Sequence, residues 1–349
     1  MPNHPIQISF VGCDSKTIVI KSRKFYTIIL ESGQQLDEVH IVGSRNKNRT
    51  TVDTPIAIDF INIEEAINKS GQLNINELLQ HIIPSFNATK QSGADGTDHT
   101  IPASLRGLGP DQTLVLINGK RRHQSSLVNI FGTRGRGNSG TDLNAIPIAA
   151  IQRIELLRDG ASAQYGSDAI AGVINIVLKE DVDKLKILLT NGFHNRNTGL
   201  DVPNSKKGID GTLYKLGINY GAKINTTGFI NFTSEITTKE HTFRPNSANR
   251  EKYGDAAANS FNLFFNSEVP LKNKTKLYAN GGYSHKNTEA YAFTRTKNSS
   301  RNVIAIYPNG FNPLITSEIS DASFSFGFLT QIQEWSIDIN NTFGKNNFH

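Results

Sequence analysis

In the second half of the chain, hydrophobic and polar residues alternate one by one. Tyr214, Leu216, Ile218 and Tyr220 are interleaved with Lys215, Gly217, Asn219 and Gly221. The same holds for Ile230, Phe232 and Ile236 against Asn231, Thr233 and Glu235, and for Phe261, Leu263 and Phe265 against Asn262 and Asn266. Phe324, Phe326 and Phe328 alternate with Ser323, Ser325 and Gly327, and Trp335, Ile337 and Ile339 with Ser336, Asp338 and Asn340. A period of two places the two sets on opposite faces of a sheet. Long polar connections at Asn195–Asp210, His241–Asn259 and Tyr291–Asp321 take turns with short ones near Asn225–Gly228, Lys272–Lys274 and Gln331–Glu334. That order predicts a transmembrane antiparallel barrel with extended outer loops and tight periplasmic turns. A soluble antiparallel sheet would also alternate its faces, but it less often keeps every second loop long.

The first half mixes helix and strand. Gln7–Val11, Thr17–Ile20 and Phe25–Leu30 read as short strands. Asn76–Ile83 is a helix candidate with Leu78, Leu79, Ile82 and Ile83 on one stripe, ended by Pro84. Thr113–Ile117 is a buried strand entering an Asn118-Gly119 turn, Pro147–Ile151 a short helical turn, and Arg153–Leu157 and Val173–Val177 two further strands.

Composition narrows the classes. The chain has 349 residues, 37% of them hydrophobic, and a mean hydropathy of −0.36. No apolar run reaches the ~20 residues of a spanning helix, whereas barrel strands look polar on average. A single cysteine, Cys13, leaves no disulfide framework and no cysteine-based zinc site. The net charge of +6 is spread along the chain, although Lys120-Arg121-Arg122-His123 with Arg134 and Arg136 keeps a nucleic-acid-binding β protein open as a rival. Stacking aromatics near that cluster would support the rival, and only Phe131 is present. Met1–Phe10 shows no signal-peptide pattern. No enzyme, cofactor or metal signature stands out: Gly160-Ala161-Ser162-Ala163-Gln164 lacks the second glycine of a nucleophile elbow, Gly132–Gly140 lacks a Gly-Lys-Ser/Thr ending, and the histidines lack metal-ligand spacing.

Two stretches carry a resemblance. One is Ser104-Leu105-Arg106-Gly107-Leu108-Gly109 continuing through Thr113–Arg121. The other is Asn144-Ala145-Ile146-Pro147 and Ile151–Gly160, then Ala163-Gln164-Tyr165-Gly166-Ser167-Asp168 to Ile176. In order and spacing they resemble the plug domain of TonB-dependent outer-membrane receptors, over roughly Leu36 to Lys179. The resemblance implies an α+β plug followed by an incomplete barrel. Its layout would be 1–32 the end of a carboxypeptidase-regulatory-like β-sandwich, as in Bacteroidetes-type receptors, 33–51 a TonB box and linker, 52–181 the plug, and 182–349 the first ~7 strands.

The same resemblance assigns roles. Leu36, Asp37, Glu38, Val39, His40, Ile41 and Val42 resemble the TonB box, an extended segment that adds as a strand to a partner's sheet edge. Arg106 and Arg158, with Glu155 beside them, would lock the plug against acidic barrel residues; ordinary surface salt bridges are the equal alternative. Gly107, Gly109, Gly119, Gly160, Gly166 and Gly172 are expected to supply tight turns and positive φ. Arg121, Arg122, His123, Arg134 and Arg136 are expected in apical loops facing an incoming ligand.

The implied activity is TonB-energised import of a scarce nutrient across the outer membrane of a Gram-negative bacterium. Candidate ligands are a ferric chelate (a siderophore), a cobalamin-like compound or, as an alternative, an oligosaccharide captured with a surface lipoprotein; the implied partners are TonB and outer-membrane lipid, with no nucleic acid. Plugged transporters have about 22 strands, so the chain reads as truncated at both ends, and a non-transporting fragment is the competing reading.

Overall fold

The computed structural model describes residues 5–8, 16–19, 28, 58–71, 74–88, 90–130, 135–158, 162–196, 208–245 and 250–349. They belong to two units, Met1–Pro55 and Ile56–His349. In the first, β1 (Pro5–Ile8) pairs antiparallel with β2 (Lys16–Val19). Of the expected strand Gln7–Val11, Gln7 and Ile8 fall in β1, and residues 9–11 lie outside the described residues. Phe25–Leu30 apart from Ile28, the Leu36–Val42 segment, Arg134 and Gly160 lie outside the described residues.

The second unit opens with β3 (Ile58–Asn62) running into α1 (Ile63–Ser70), a helix not expected from the residue pattern. Asn62 caps it, its Oδ1 accepting from Glu65 N at 3.1 Å, and Gly71 ends it in the left-handed region. Helix α2 (Ile75–Ile82) starts at the Asn74 cap and leaves helical geometry at Ile83, because a residue before proline is driven out of the α region. Ile83 therefore turns into the core beside Leu78 and Leu79, and Ile82, expected on the same stripe, is exposed.

Two residue pairs, β4 (Phe86–Asn87) and β5 (Ser104–Leu105), form a short ladder. The main plug sheet adds β6 (Thr113–Ile117), β7 (Lys120–Arg121), β8 (Ile151–Leu157) and β9 (Gly172–Leu178) to β3, in the order β3-β8-β9-β6-β7, with only β6 and β9 parallel. Interior β6 is buried at every position, which is why its sequence is an unbroken apolar run. Asn118 (φ 47°) and Gly119 (φ 76°) make the β6–β7 turn, both positive as a two-residue hairpin of the primed type demands. Gly172 is fixed by space as well as by φ, since a Cβ there would sit 2.5 Å from the Leu157 carbonyl oxygen. Gly107 and Gly166 have positive φ. Gly109 does not (φ −64°); it is small because Asp111 and Asn138 crowd it, so the positive-φ expectation fails there.

The remaining strands form one antiparallel meander in sequence order: β10 (Leu185–Arg196), β11 (Gly208–Ile224), β12 (Gly228–Lys239), β13 (Ala257–Pro270), β14 (Lys276–Tyr291), β15 (Leu314–Ile332) and β16 (Trp335–Phe348). Long and short connections alternate as expected, but β15 begins at Leu314, inside the stretch read as loop to Asp321.

The faces are inverted relative to a soluble sheet. Asn219, Asn231, Thr233, Asn262, Ser284 and Ser325 are buried, while Tyr214, Ile218, Ile236, Leu263 and Phe326 are exposed. In register, Tyr220, Phe232, Phe265, Gly281, Phe324 and Phe343 form one row across six strands, the kind of aromatic girdle that marks a membrane interface. The hydrophobic core lies in the plug, and Phe264 is the one buried residue that the meander contributes to it. Its ring lies over its cross-strand partner Gly282, where any Cβ would overlap it.

Candidate functional site

An apolar plug core facing a polar wall can be held only if each buried polar group finds a partner. The wall supplies these partners from inward positions of alternating strands. On β14, Lys286 is 7% exposed; its Nζ donates to Asp142 Oδ2 and to the His99 carbonyl, both at 2.8 Å. Asp142 also accepts from Asn144 N at 3.0 Å, holding the turn at Leu143–Ala145. On β15, Asp321 receives the Arg122 guanidinium, His123 Nε2 at 2.8 Å and Asn346 Nδ2 at 2.9 Å. On β12, Glu235 accepts from Lys215 at 3.2 Å and from Ala149 N at 3.4 Å. Nearer the short turns, Asn118 donates to Asn266 at 3.0 Å, and Lys120 reaches Asp338 at 2.6 Å.

A cavity of about 390 Å³ lies between the plug and the inner faces of β10–β14. Lys90 borders it, paired with Glu77 of α2 and, at 3.3 Å, with Asp255 beside β13, which Lys239 also reaches at 3.3 Å. Burial alone would push the Lys90 ammonium toward neutrality, but Glu77 and Asp255 outweigh it and hold its pKa above the ordinary lysine value. For Asp255, burial likewise opposes ionisation and is outweighed by Lys239 and Lys90, so its carboxyl lies below the usual range. His99 also lines the cavity, with Nδ1 2.8 Å from Ser317 Oγ. Burial, reinforced by Lys286 against the opposing pull of Asp98, keeps the imidazole below the usual histidine range.

The residues expected to lock the plug pair within it. Arg158 holds Asp59 on β3, with Nε at 2.5 Å, and Arg106 Nη1 donates to the Arg158 carbonyl at 3.3 Å. Glu155, fully buried, accepts from Arg153 Nε and Asn175 Nδ2, both at 2.9 Å. Contacts with the wall are made instead by Asp142, His99, Arg122, His123, Lys120 and Lys90. Of the cations expected to face a ligand, Arg122 and His123 are committed to Asp321, and Arg121 to Asp168 and the Tyr165 carbonyl. Arg136 alone is exposed without an ion pair among the described residues. Sequence reading missed Lys286, Asp321, Asp142 and Asp255, whose only prior signal was a charge at an inward position of a period-two strand or in a connection.

Polar wall inside, apolar girdle outside and a globular domain seated on the polar face together define a plug domain held against strands of a transmembrane-type barrel. Residues 50–173 match the family model of the TonB-dependent Receptor Plug Domain. Ferric enterobactin receptor PirA of Pseudomonas aeruginosa is 29% identical over 160 residues, 46% of this chain and 21% of that protein. The ferrienterobactin receptor of Escherichia coli K12 is 37% identical over 98 residues, 28% of this chain and 13% of that one.

Among solved structures, a variant of the ferric enterobactin receptor PfeA from Pseudomonas aeruginosa superposes with a TM-score of 0.62 at 18% identity, covering 85% of this chain and 41% of that one. The siderophore receptor PirA from Acinetobacter baumannii gives 0.59 at 18% identity, over 83% and 40% of the two chains. These likenesses show the fold. The chain spans less than half the length of the relatives it matches. Residues 50–173 thus match the plug domain of TonB-dependent receptors, and the strands that follow share the fold of these receptors' barrels.

Proposed function

We propose that the protein to which this chain belongs imports a ferric siderophore across the outer membrane of a Gram-negative bacterium, using energy delivered by TonB. The observation that carries this reading is the inverted meander with a plug pinned to its polar face by buried ion pairs, a closure that must be opened by work. Covalent chemistry has no part in it. The similar proteins named above are enterobactin and siderophore receptors, which supports a ferric chelate over an oligosaccharide. We assign energy input to Leu36–Val42, pulled as an added strand, and an apical contact with the incoming ligand to Arg136. The test is uptake of a radiolabelled ferric chelate by cells carrying the whole receptor, in TonB-competent and TonB-deficient strains and after deletion of residues 36–42. Accumulation that needs both TonB and the segment is expected. Uptake indifferent to either would refute it.

A further inference from the structure

We propose that the outward face of β11–β15 carries a discrete site for one glycolipid of the outer leaflet, an acylated sugar of the lipid A type. The inference goes beyond the importer reading and does not depend on which nutrient is carried.

Alternation with a period of two sends every second side chain of these strands away from the plug. On that outward face, a groove of about 490 Å³ is walled by Tyr220, Phe232, Leu263, Phe265 and Tyr283, with Gly282 at its floor. Tyr220, Phe232, Leu263 and Tyr283 are between 44% and 54% exposed. Ser234 pairs with Leu263, and Leu263 with Tyr283; the small serine side chain leaves the groove open. An apolar hollow on a lipid-facing wall is filled by an acyl chain, because no water is there to fill it.

Farther along the same strands, toward the long connections, lies a second groove of about 520 Å³. Asn259, Asn287, Glu289, Thr316 and Glu318 line it. Asn287 pairs with Asn259 on β13 and with Glu318 on β15. All three are exposed, whereas the inward neighbours Thr288 and Ser317 are buried, so this groove also faces away from the plug. Its carboxylates meet only histidines among the described residues, Glu289 at 3.6 Å from His241 and Glu318 at 4.0 Å from His285. Carboxylates, amides and a hydroxyl in one cleft make an acceptor-rich surface, which suits the hydroxyls of a sugar. A bare phosphate there would be repelled by Glu289 and Glu318.

The spacing fits a single amphiphile. Gly282 and Asn287 are five residues apart, about 17 Å of strand. A tilt of about 40° turns this into roughly 13 Å of depth, within the ~15 Å of hydrocarbon in one leaflet. A chain seated in the lower groove therefore brings its own sugar to the upper one. A phospholipid would fill only the lower groove, since its headgroup offers few hydroxyls.

Native mass spectrometry of the whole receptor, released from detergent, tests the site with three probes: lipid A carrying its inner-core sugars, lipid A lacking them, and phosphatidylethanolamine. Ser234→Phe fills the lower groove, and Asn287→Ala with Glu318→Ala strips the upper one. Leu189→Ala, exposed on β10 and outside both grooves, is the control. The substituted side chains face away from the plug, so the importer reading can hold or fail independently of these results.

The parent is expected to retain one molecule of sugar-bearing lipid A, with about tenfold higher affinity than for phosphatidylethanolamine. Ser234→Phe should weaken both lipid A forms about tenfold. The Asn287 and Glu318 variant should lose about tenfold for the sugar-bearing form alone, and the control should bind as the parent does. Equal retention of lipid A and phosphatidylethanolamine would assign both grooves to the general lipid annulus and overturn the proposal. So would groove variants that bind like the parent, or a control that loses as much as they do.

Discussion

Replacing Lys286 by Met keeps its length and removes its charge. In the parent, the ammonium makes two charge-assisted hydrogen bonds at 2.8 Å, to Asp142 and to the His99 carbonyl. The side chains of Lys286 and Asp142 are 9% and 2% exposed, so solvent screens little of the interaction. Each such bond contributes about 1.5–3 kcal/mol, and the substitution leaves the Asp142 carboxylate buried without its counter-charge. Breaking one side of a buried pair costs about 3–5 kcal/mol. The whole cost falls on plug docking, because Lys286 lies on the wall and both acceptors lie on the plug. We expect Lys286→Met to weaken plug docking by about 3–5 kcal/mol, read from urea unfolding of the plug in the whole receptor. Amide exchange at Thr97–Thr100 and Leu143–Ala145 should accelerate with it. Asp142→Asn in the same background removes the stranded charge, so the double variant should be more stable than the sum of the two single losses by about 2 kcal/mol or more. Additive losses, or a Lys286→Met protein as stable as the parent, would refute the assignment of Lys286 as an anchor.

Phe264→Ala removes the meander's one buried member of the plug core and should cost about 3–5 kcal/mol in the same unfolding assay, with the outer aromatic row undisturbed. His99 is held below the usual histidine range, so it favours the docked state above the ordinary value of about 6.5, and this contribution is lost as pH falls through its lowered value. Plug stability should therefore drop between pH 7.5 and 5.5, and His99→Gln should flatten that slope; identical slopes in the two proteins would count against it. For the Lys90–Asp255 tie the signs run outward: the Asp255 contribution is lost only as pH falls below the carboxylate range, and that of Lys90 only as pH rises past the lysine range. Exchange at Gly93 should be pH-independent between about 5 and 9 once intrinsic rates are removed, and Asp255→Asn should cost about 1 kcal/mol, since both side chains are partly exposed.

The faces of the meander were legible because a period of two is a local property: Tyr214, Ile218 and Tyr220 declare a common side whatever lies across from it. Alternating connection lengths then predicted a transmembrane barrel, in which that apolar side meets lipid. The anchors had no such local signature. Lys286 and Asp142 are 144 residues apart, and nothing adjacent to either marks the other. Arg122 was misread for the same reason: beside Arg121 and His123 it looks like part of a basic patch, and only Asp321, 199 residues away, converts it into a buried half of an ion pair.

Helix α1 escaped because its eight residues, Ile63–Ser70, include only three apolar ones, too few to show a helical stripe. An interior built from polar groups demands that charges be satisfied in pairs, so a cation in such a protein says little until its partner is known.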